Sequence, residues 1–425
     1  MNEIKLRLAR LRELMKREHL SAFIFPSTDA HQSEYVADHW RGREWISGFN
    51  GSAGTAVVTM KSAALWTDSR YFLAAEEQLE DTECQLMRLK MEGTPTIAEW
   101  LGKELQDVQS PEVGLDGMVN SYNYVKDLSY SLRKLGGITL RTNLDPLEQI
   151  WENRPSLPAN PVEIQPLEYA GETLASKVVR IRKSLRELHA DGMLVSALDD
   201  IAWTLNLRGT DVHCNPVFVS YLLIESDKVS LFVDDNKLSP EVKQYLQDNQ
   251  VSLYNYNKVE KCLESYSEYN ILLDGDETSY YLWKTVKCQE IVAAASPIPA
   301  MKAVKNEAEI EGYRSAMLKD GVAMVKFLKW LKPAVEAGGQ TEISIDEKLT
   351  SLRAEQKLFR DISFDTIAGY AQHGAIVHYE ATPETYVVLK PEGLILIDSG
   401  AQYQDGTTDI TRTIALGAVS EEMKH

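Results

Sequence analysis

The chain has 425 residues, of which 44% are hydrophobic and 25% are charged, as in soluble globular proteins. This length predicts two to four domains, each large enough to bury its own core. Lys and Arg number 45 against 63 Asp and Glu, and the resulting net charge of −18 argues against nucleic acid or an anionic membrane as partner.

The N-terminus and the cysteines predict a cytoplasmic protein. Residues 1–19 mix charged residues with leucine at helical spacing and lack the apolar run of a signal peptide. No stretch approaches the roughly 18–20 apolar residues of a transmembrane helix. The cysteines form no C-x-x-C pair, so we expect reduced thiols at Cys84, Cys214, Cys262 and Cys288.

Two proline clusters predict the domain boundaries. The first cluster runs from Pro155 to Pro166, and the second contains Pro297 and Pro299. We therefore predict three domains, comprising residues 1–155, 156–300 and 301–425.

The first two domains have the sequence pattern of a duplication. The motif LREL precedes the apolar run AFIF at Ala22, and a second LREL precedes GMLV at Gly192. The strand ALWTDSR is matched by SLFVDDN. Offsets between 158 and 174 residues fit a repeated domain. Each copy predicts an amphipathic helix, a buried strand and a meander of strands closed by a helix, which is an α/β or mixed-sheet domain.

The third domain begins with helices and continues with strands. Apolar spacing from Asn306 to Leu331 predicts one long amphipathic helix that ends before Pro333. A capping box of Ser344 and Glu347 predicts the start of a second helix. The predicted strands are SFDTIAGY, AIVHYEA, YVVLK, LILID and TTDITRTIAL. This order is typical of an α+β domain.

Two carboxylates on the last two strands are candidate metal ligands. Asp398 ends the apolar strand LILID, where an acidic residue must be paired or bound to a cation. Asp409 shares one face of the following strand with Thr411 and Thr413. Turn and capping roles are the alternative for both aspartates.

The hairpin turn decides whether these carboxylates meet. A two-residue turn at Asp405-Gly406 would place Asp409 opposite Gln402 and separate it from Asp398 by on the order of 13 Å along the ladder. Shared metal coordination therefore predicts a wider loop, centred near Tyr403 and Gln404.

The hairpin IDSGAQYQDGTTDITRT closely resembles the metal-binding hairpin of aminopeptidase P, the cytosolic Xaa-Pro aminopeptidases of the pita-bread metallopeptidase group. The resemblance extends along the chain through GFNGSAGTAVVT, LWTDSRYFLAAEEQ, LDDIAWTLNLRGTDVHCNPVF, KAVKNEAEIEGYR and GAIVHY. It implies a multidomain α/β and α+β fold: two tandem creatinase-like N-terminal α/β domains followed by the N-terminal part of a pita-bread catalytic domain.

The resemblance also implies the residues of the site. Asp398 would bind one divalent ion and Asp409 would bridge two, and the oxygen ligands suit Mn, which the family generally uses. His378 would contact the substrate and support the tetrahedral intermediate, whereas by itself it would be a packed strand histidine. Arg70 would bind the peptide, whereas by itself it predicts a local salt bridge with Asp68.

The implied activity is hydrolysis of the N-terminal residue from peptides with proline in second position. Proline makes a tertiary amide without an N–H, so general peptidases handle it poorly. Family members are commonly homodimers, and Arg70 is remote in sequence from the hairpin, so the peptide site could be completed across domains or subunits. The alternatives are a prolidase or creatinase, which carry one N-terminal domain, and a non-catalytic pita-bread module that binds peptides or histones.

The chain departs from the family pattern after the hairpin. The resemblance implies a metal-binding histidine, a second histidine in a glycine-rich HG-containing motif and two glutamate ligands further downstream, and these are missing from this sequence. We therefore expect a C-terminally truncated chain that does not fully bind the two ions of the complete enzyme and is inactive or nearly so by itself.

Overall fold

The computed structural model describes residues 3–266 and 269–424. The chain divides into two compact units. The first unit takes Met1–Ile164, Thr173–His213 and Val217–Val304, and the second takes Gln165–Glu172, Cys214–Pro216 and Lys305–His425.

The first half of the first unit is built around a six-stranded sheet. Its strands are β1 (Ala22–Phe25), β2 (Thr55–Thr59), β3 (Ala63–Thr67), β4 (Cys84–Arg88), β5 (Glu112–Leu115) and β6 (Thr139–Arg141). Its helices are α1 (Glu3–Arg17), α2 (Gly42–Ser47), α3 (Phe72–Gln78), α4 (Ile97–Glu104), α5 (Tyr122–Gly136) and α6 (Leu147–Ile150).

The next segment forms a second six-stranded sheet. Its strands and two short outlying strands are β7 (Glu163–Ile164), β8 (Gly192–Val195), β9 (Leu207–Arg208), β10 (Ser220–Glu225), β11 (Val229–Val233), β12 (Val251–Tyr254), β13 (Asn270–Leu273) and β14 (Glu290–Ala293). The helices are α7 (Leu167–Ala170), which belongs to the second unit, α8 (Leu174–Glu187), α9 (Leu198–Leu205), α10 (Pro240–Asp248), α11 (Val259–Glu264), α12 (Tyr280–Thr285) and α13 (Ile298–Ala303).

The two sheets have the same topology. The strand orders are β4-β3-β2-β1-β5-β6 and β12-β11-β10-β8-β13-β14. In each sheet the third strand is antiparallel to both neighbours and the other neighbouring pairs are parallel. The predicted duplication of an α/β domain is therefore confirmed, whereas the boundaries at residues 155 and 300 stay a prediction.

Helices cover both faces of the first sheet, which explains its apolar strands. All four residues of β1 are buried, and alternate side chains enter different cores. Phe23 and Phe25 pack in the core that includes Leu8 and Leu11 of α1. Ala22 and Ile24 pack on the opposite face, in the core that includes residues of α4 and α5.

In the second unit, helices come before strands, as predicted. The elements after α7 are α14 (Glu307–Ala337), α15 (Glu342–Ala354), β15 (Phe359–Ile362), β16 (Ile367–Tyr370), β17 (Leu394–Ser399), β18 (Ala401–Tyr403), β19 (Gly406–Thr407), β20 (Ile410–Ala415) and α16 (Glu421–Lys424). Two three-stranded sheets have the orders β15-β18-β19 and β16-β17-β20. One core joins Phe327 of α14, Leu349 of α15 and Ile395 and Ile397 of β17.

Two helix boundaries differ from the prediction. Pro333 lies inside α14 and does not end it. Leu331 and Val335 are buried on either side of the proline, so tertiary packing outweighs the lost hydrogen bond. The second helix starts earlier than predicted, because the Thr341 hydroxyl caps it in a reciprocal pair with Ser344.

Two predicted strands, AIVHYEA and YVVLK, are wrong. A short 3-10 helix at Ala371–Ala375 and a turn replace the first of them. Val377 and His378 are exposed there, and only Tyr379 is buried, so the apolar run does not face a core. Within residues 3–266 and 269–424, no helix combines the length and the apolar character needed to span a bilayer.

Candidate active site

The hairpin that carries the two aspartates has a tight turn. In β17 and β20, Asp398 lies opposite Thr411. The shorter strands β18 and β19 continue the hairpin with Tyr403 opposite Gly406, which leaves Gln404 and Asp405 as the turn. The wider loop predicted from sequence is therefore wrong, and so is a turn at Asp405-Gly406.

Contacts with α14 explain this register. Lys319 Nζ donates to both oxygens of the Asp405 carboxylate, at 2.6 and 2.8 Å. A Cβ atom at Gly312 would lie 2.1 Å from the Asp405 carbonyl oxygen, so the turn packs directly on the helix backbone. Charge pairing and close packing against α14 thus select the turn.

Asp398 and Asp409 nevertheless share one face of the hairpin. Asp409 lies two residues before Thr411, the direct partner of Asp398, which makes the aspartates diagonal neighbours about 7–8 Å apart between Cα atoms. Between the two strand pairs, a Cβ at Gly400 would lie 2.0 Å from the Thr408 carbonyl oxygen. Glycine therefore permits a close approach of the strands beside the two carboxylates.

The two carboxyl groups interact. The pKa of Asp409 is raised by partial desolvation, then by the negative charge of Asp398 and by a hydrogen bond between the two groups. Asp398 Oδ1 also accepts a hydrogen bond from the Thr411 hydroxyl at 2.7 Å. A cation between these oxygens would relieve the repulsion, and hard oxygen donors suit Mn²⁺ or Mg²⁺. The residues present therefore fit a divalent-ion site.

His378 lies in an exposed turn, not in a packed strand. The residue has φ of 57°, in the left-handed region. It follows β16, which pairs with β17 so that Ile367 lies opposite Asp398. The strand next to the carboxylates thus leads into the segment that presents His378.

Arg70 belongs to the first unit and forms the local salt bridge that the sequence predicts. Its Nε and Nη2 donate to the two oxygens of Asp68 at 2.9 and 2.8 Å. This hydrogen bonding raises the pKa of the guanidinium. The Arg70 side chain is 38% exposed, and its role in peptide binding stays a prediction.

Comparisons with known proteins agree with the resemblance. Residues 7–142 and 153–309 match the creatinase/prolidase N-terminal domain, and residues 311–425 match metallopeptidase family M24. The chain is 39% identical to "Xaa-Pro aminopeptidase ApepP" of Drosophila melanogaster, over 98% of this chain and 70% of the relative. The chain belongs to the Xaa-Pro aminopeptidase family.

Further members of the Xaa-Pro aminopeptidase family match almost the whole chain. "Probable Xaa-Pro aminopeptidase P" of Paracoccidioides brasiliensis (strain Pb03) is 37% identical over 98% of this chain and 70% of the relative. The crystal structure of X-prolyl aminopeptidase from Caenorhabditis elegans, described as a cytosolic enzyme with a di-nuclear active site, superposes with a TM-score of 0.93. That structure is 30% identical and matches 99% of this chain and 71% of its own chain. The predicted fold is thereby confirmed.

Sequence reasoning missed the buried residues that support the hairpin of this family member. The Thr408 hydroxyl donates to Asp320 Oδ2 at 2.9 Å and accepts a hydrogen bond from the Ala401 N–H at 3.0 Å. Asp320 lies four residues after buried Ala316 and seven before buried Phe327, on the apolar face of α14. An acidic residue on the apolar face of a predicted helix could have indicated this support, since a buried carboxylate requires a buried partner.

Proposed function

We propose that this chain belongs to a metal-dependent hydrolase that releases the N-terminal residue from peptides with proline in second position. One observation carries the proposal: Asp398 and Asp409 lie on one face of a hairpin, in a chain 39% identical to an Xaa-Pro aminopeptidase. The duplicated α/β sheets before the hairpin are the second support, since the resemblance associates a prolidase or creatinase with a single such domain.

The aspartates would hold two divalent ions, with Asp398 on one ion and Asp409 between both. Manganese is our proposal for both ions, because the donors are carboxylate oxygens. The chemistry that such ions supply when bound is polarisation of the scissile carbonyl and activation of water. The raised pKa of Asp409 is consistent with a cation site, since a nearby positive charge would offset the repulsion from Asp398 and favour the ionised form of Asp409.

His378 and Arg70 would act on the peptide. His378 lies in an exposed turn, where a substrate can reach it, and an imidazole ring N–H is a donor that could stabilise the carbonyl oxygen on which negative charge develops. Arg70 keeps part of its guanidinium exposed beyond the bidentate pair with Asp68, so it can donate to a peptide carbonyl or carboxylate. Both roles are proposals that mutation can separate.

We further propose a cytoplasmic homodimer, where the dimer rests on the family resemblance alone. The structural neighbour from Caenorhabditis elegans is described as a cytosolic enzyme, and the net charge of −18 disfavours contact with anionic lipid. Size-exclusion chromatography with light scattering measures the assembly directly.

Peptide hydrolysis tests the proposed activity. The gene product that carries this chain is incubated with Mn²⁺ and an Xaa-Pro-Pro peptide, beside the same peptide with alanine in second position. We expect Mn²⁺-dependent release of the first residue from the proline peptide and loss of this release in Asp409→Asn. Binding of peptide without any hydrolysis would contradict the proposal and favour a peptide-binding module.

A further inference from the structure

A single buried carboxylate, Glu342 at the start of α15, holds both ends of the segment that carries His378. Residues 371–386 are called the His378 segment below. Glu342 is 0% exposed, and its Oε1 accepts a hydrogen bond from the N–H of Tyr370 at 2.8 Å. Its Oε2 accepts one from the N–H of Val387 at 3.0 Å. These donors immediately precede and follow the His378 segment.

Glu342 also contacts the interior of the segment. His373 Nδ1 lies 3.0 Å from each carboxylate oxygen. The hydroxyl of Tyr379, the residue next to His378, lies 3.1 Å from Oε2. The rings of His373 and Tyr379 pack with centroids 4.3 Å apart. The segment therefore folds around this carboxylate instead of pairing as strands.

The carboxylate itself is fixed to a rigid core. The N–H of Glu342 donates back to the Val387 carbonyl oxygen at 3.3 Å. On the same helix, Ile345 and Leu349 are fully buried against β17 and α14. A buried carboxylate is tolerated only with donors around it, and removing it would leave buried N–H groups without a partner.

We propose that Glu342 is the positioning residue for His378. Glu342 links the exposed turn to α15 and so fixes the position of the His378 imidazole relative to the hairpin strands. This inference rests on the proposed function, because positioning affects hydrolysis only if His378 contacts the substrate. The tests below separate the two.

Glu342→Gln preserves the shape of the side chain and removes its charge and one acceptor. The matched control is Glu347→Gln, an exposed residue on the same helix. We expect amide hydrogen exchange at residues 370–387 to become at least about tenfold faster in Glu342→Gln, with exchange in β17 unchanged. In the gene product that carries this chain, we expect kcat for the Xaa-Pro-Pro peptide to fall about tenfold to a hundredfold, with a smaller change in KM.

Tyr379→Phe provides a milder variant that removes only the hydroxyl, with its contacts to Glu342 Oε2 and to Thr385, and keeps the buried ring. We expect its exchange and kcat to change in the same direction as in Glu342→Gln, by less. If Glu342→Gln accelerates exchange in β17 as much as in the His378 segment, the protein has unfolded globally and Tyr379→Phe decides the proposal.

The proposal is overturned if Glu342→Gln matches Glu347→Gln in both exchange and kcat. Partial recovery of kcat in Glu342→Asp would support it, since a shortened carboxylate still accepts some of the same donors. His378→Ala tests the proposed function separately: unchanged kcat in that variant rejects the role of His378, while the exchange measurement still decides whether Glu342 holds the segment.

Discussion

Asp320 and Arg353 form an ion pair whose two side chains are fully buried, with Arg353 Nε 2.6 Å from Asp320 Oδ1. The other Asp320 oxygen accepts the hydrogen bond from the Thr408 hydroxyl. The pair therefore joins α14 to α15 and also fixes the residue that immediately precedes Asp409. A buried ion pair in the core of the second unit thus helps to position Asp409, a proposed metal ligand.

Asp320→Asn should destabilise the protein strongly. The substitution leaves the buried guanidinium of Arg353 without a counter-charge, and such losses cost about 3–5 kcal/mol of unfolding free energy. Urea denaturation measures the change. The matched control is Lys326→Met, because Lys326 of α14 forms an exposed ion pair with Glu355, the residue that follows α15. Equal midpoints for the two variants would contradict the importance of the buried pair.

Thr408→Val should weaken binding of divalent ions without removing a proposed ligand. The substitution preserves the shape of the side chain but breaks its hydrogen bonds to Asp320 and Ala401. Loss of a group that orients a ligand costs about tenfold or more in metal affinity. Calorimetric titration with Mn²⁺ measures the effect. Thr407→Val, at the adjacent exposed position, is the control, and an affinity loss of the same size there would refute the specific role of Thr408.

Glu277 should make the first unit less stable as pH rises. Desolvation, followed by repulsion from Asp200, Asp274 and Asp199, raises its pKa from 4.5 to about 7. A raised carboxyl pKa contributes stability that is complete below about pH 4.5 and is lost as pH rises through about 7. Glu277→Gln should therefore be more stable than the wild type at pH 8, by roughly 1–3 kcal/mol, and nearly equal at pH 4.5.

Chemical denaturation at pH 4.5, 6 and 8 checks this dependence. Glu290→Gln, at an exposed position in β14, should show no such trend with pH. A difference between Glu277→Gln and the wild type that stays constant from pH 4.5 to 8 would show that the pKa of Glu277 is not raised in the folded protein.

Arg70→Ala should affect peptide binding more than stability. The Arg70–Asp68 pair is partly exposed, so its loss changes unfolding little. If the guanidinium binds peptide, KM for the Xaa-Pro-Pro peptide rises about tenfold while kcat changes less, because binding common to substrate and transition state is lost. Arg88→Ala removes another exposed ion pair of the same unit, at the end of β4, and is the control. Identical kinetics for the two variants would show that Arg70 does not bind the peptide and forms only its local salt bridge.

The sequence predicted the elements whose causes are local or periodic. The repeated apolar strands predicted two α/β copies, and the residues around Asp398 and Asp409 predicted a hairpin, whose binding of metal stays a prediction. The turn at Gln404 and Asp405 could not be predicted from hairpin residues alone, because Lys319 and Gly312 of a distant helix select it.

The strands predicted for the His378 segment are wrong because contacts distant in sequence determine its structure. Its apolar and β-branched residues favour strands locally, whereas the buried Glu342, far away in sequence, supplies the acceptor for the donors at both its ends. Pro333 similarly lies within a helix because distant side chains pack on both sides of it. Nonlocal contacts account for each of these differences.

Equilibrium binding of Mn²⁺ tests the central claim most directly. Electron paramagnetic resonance of free Mn²⁺ gives the affinity of the wild type, Asp398→Asn, Asp409→Asn and the control Asp361→Asn, which changes an exposed aspartate on β15. We predict saturable binding that is weakened at least about tenfold in the first two variants and unchanged in the control. Equal affinity in all four proteins would contradict a metal site at the Asp398–Asp409 hairpin.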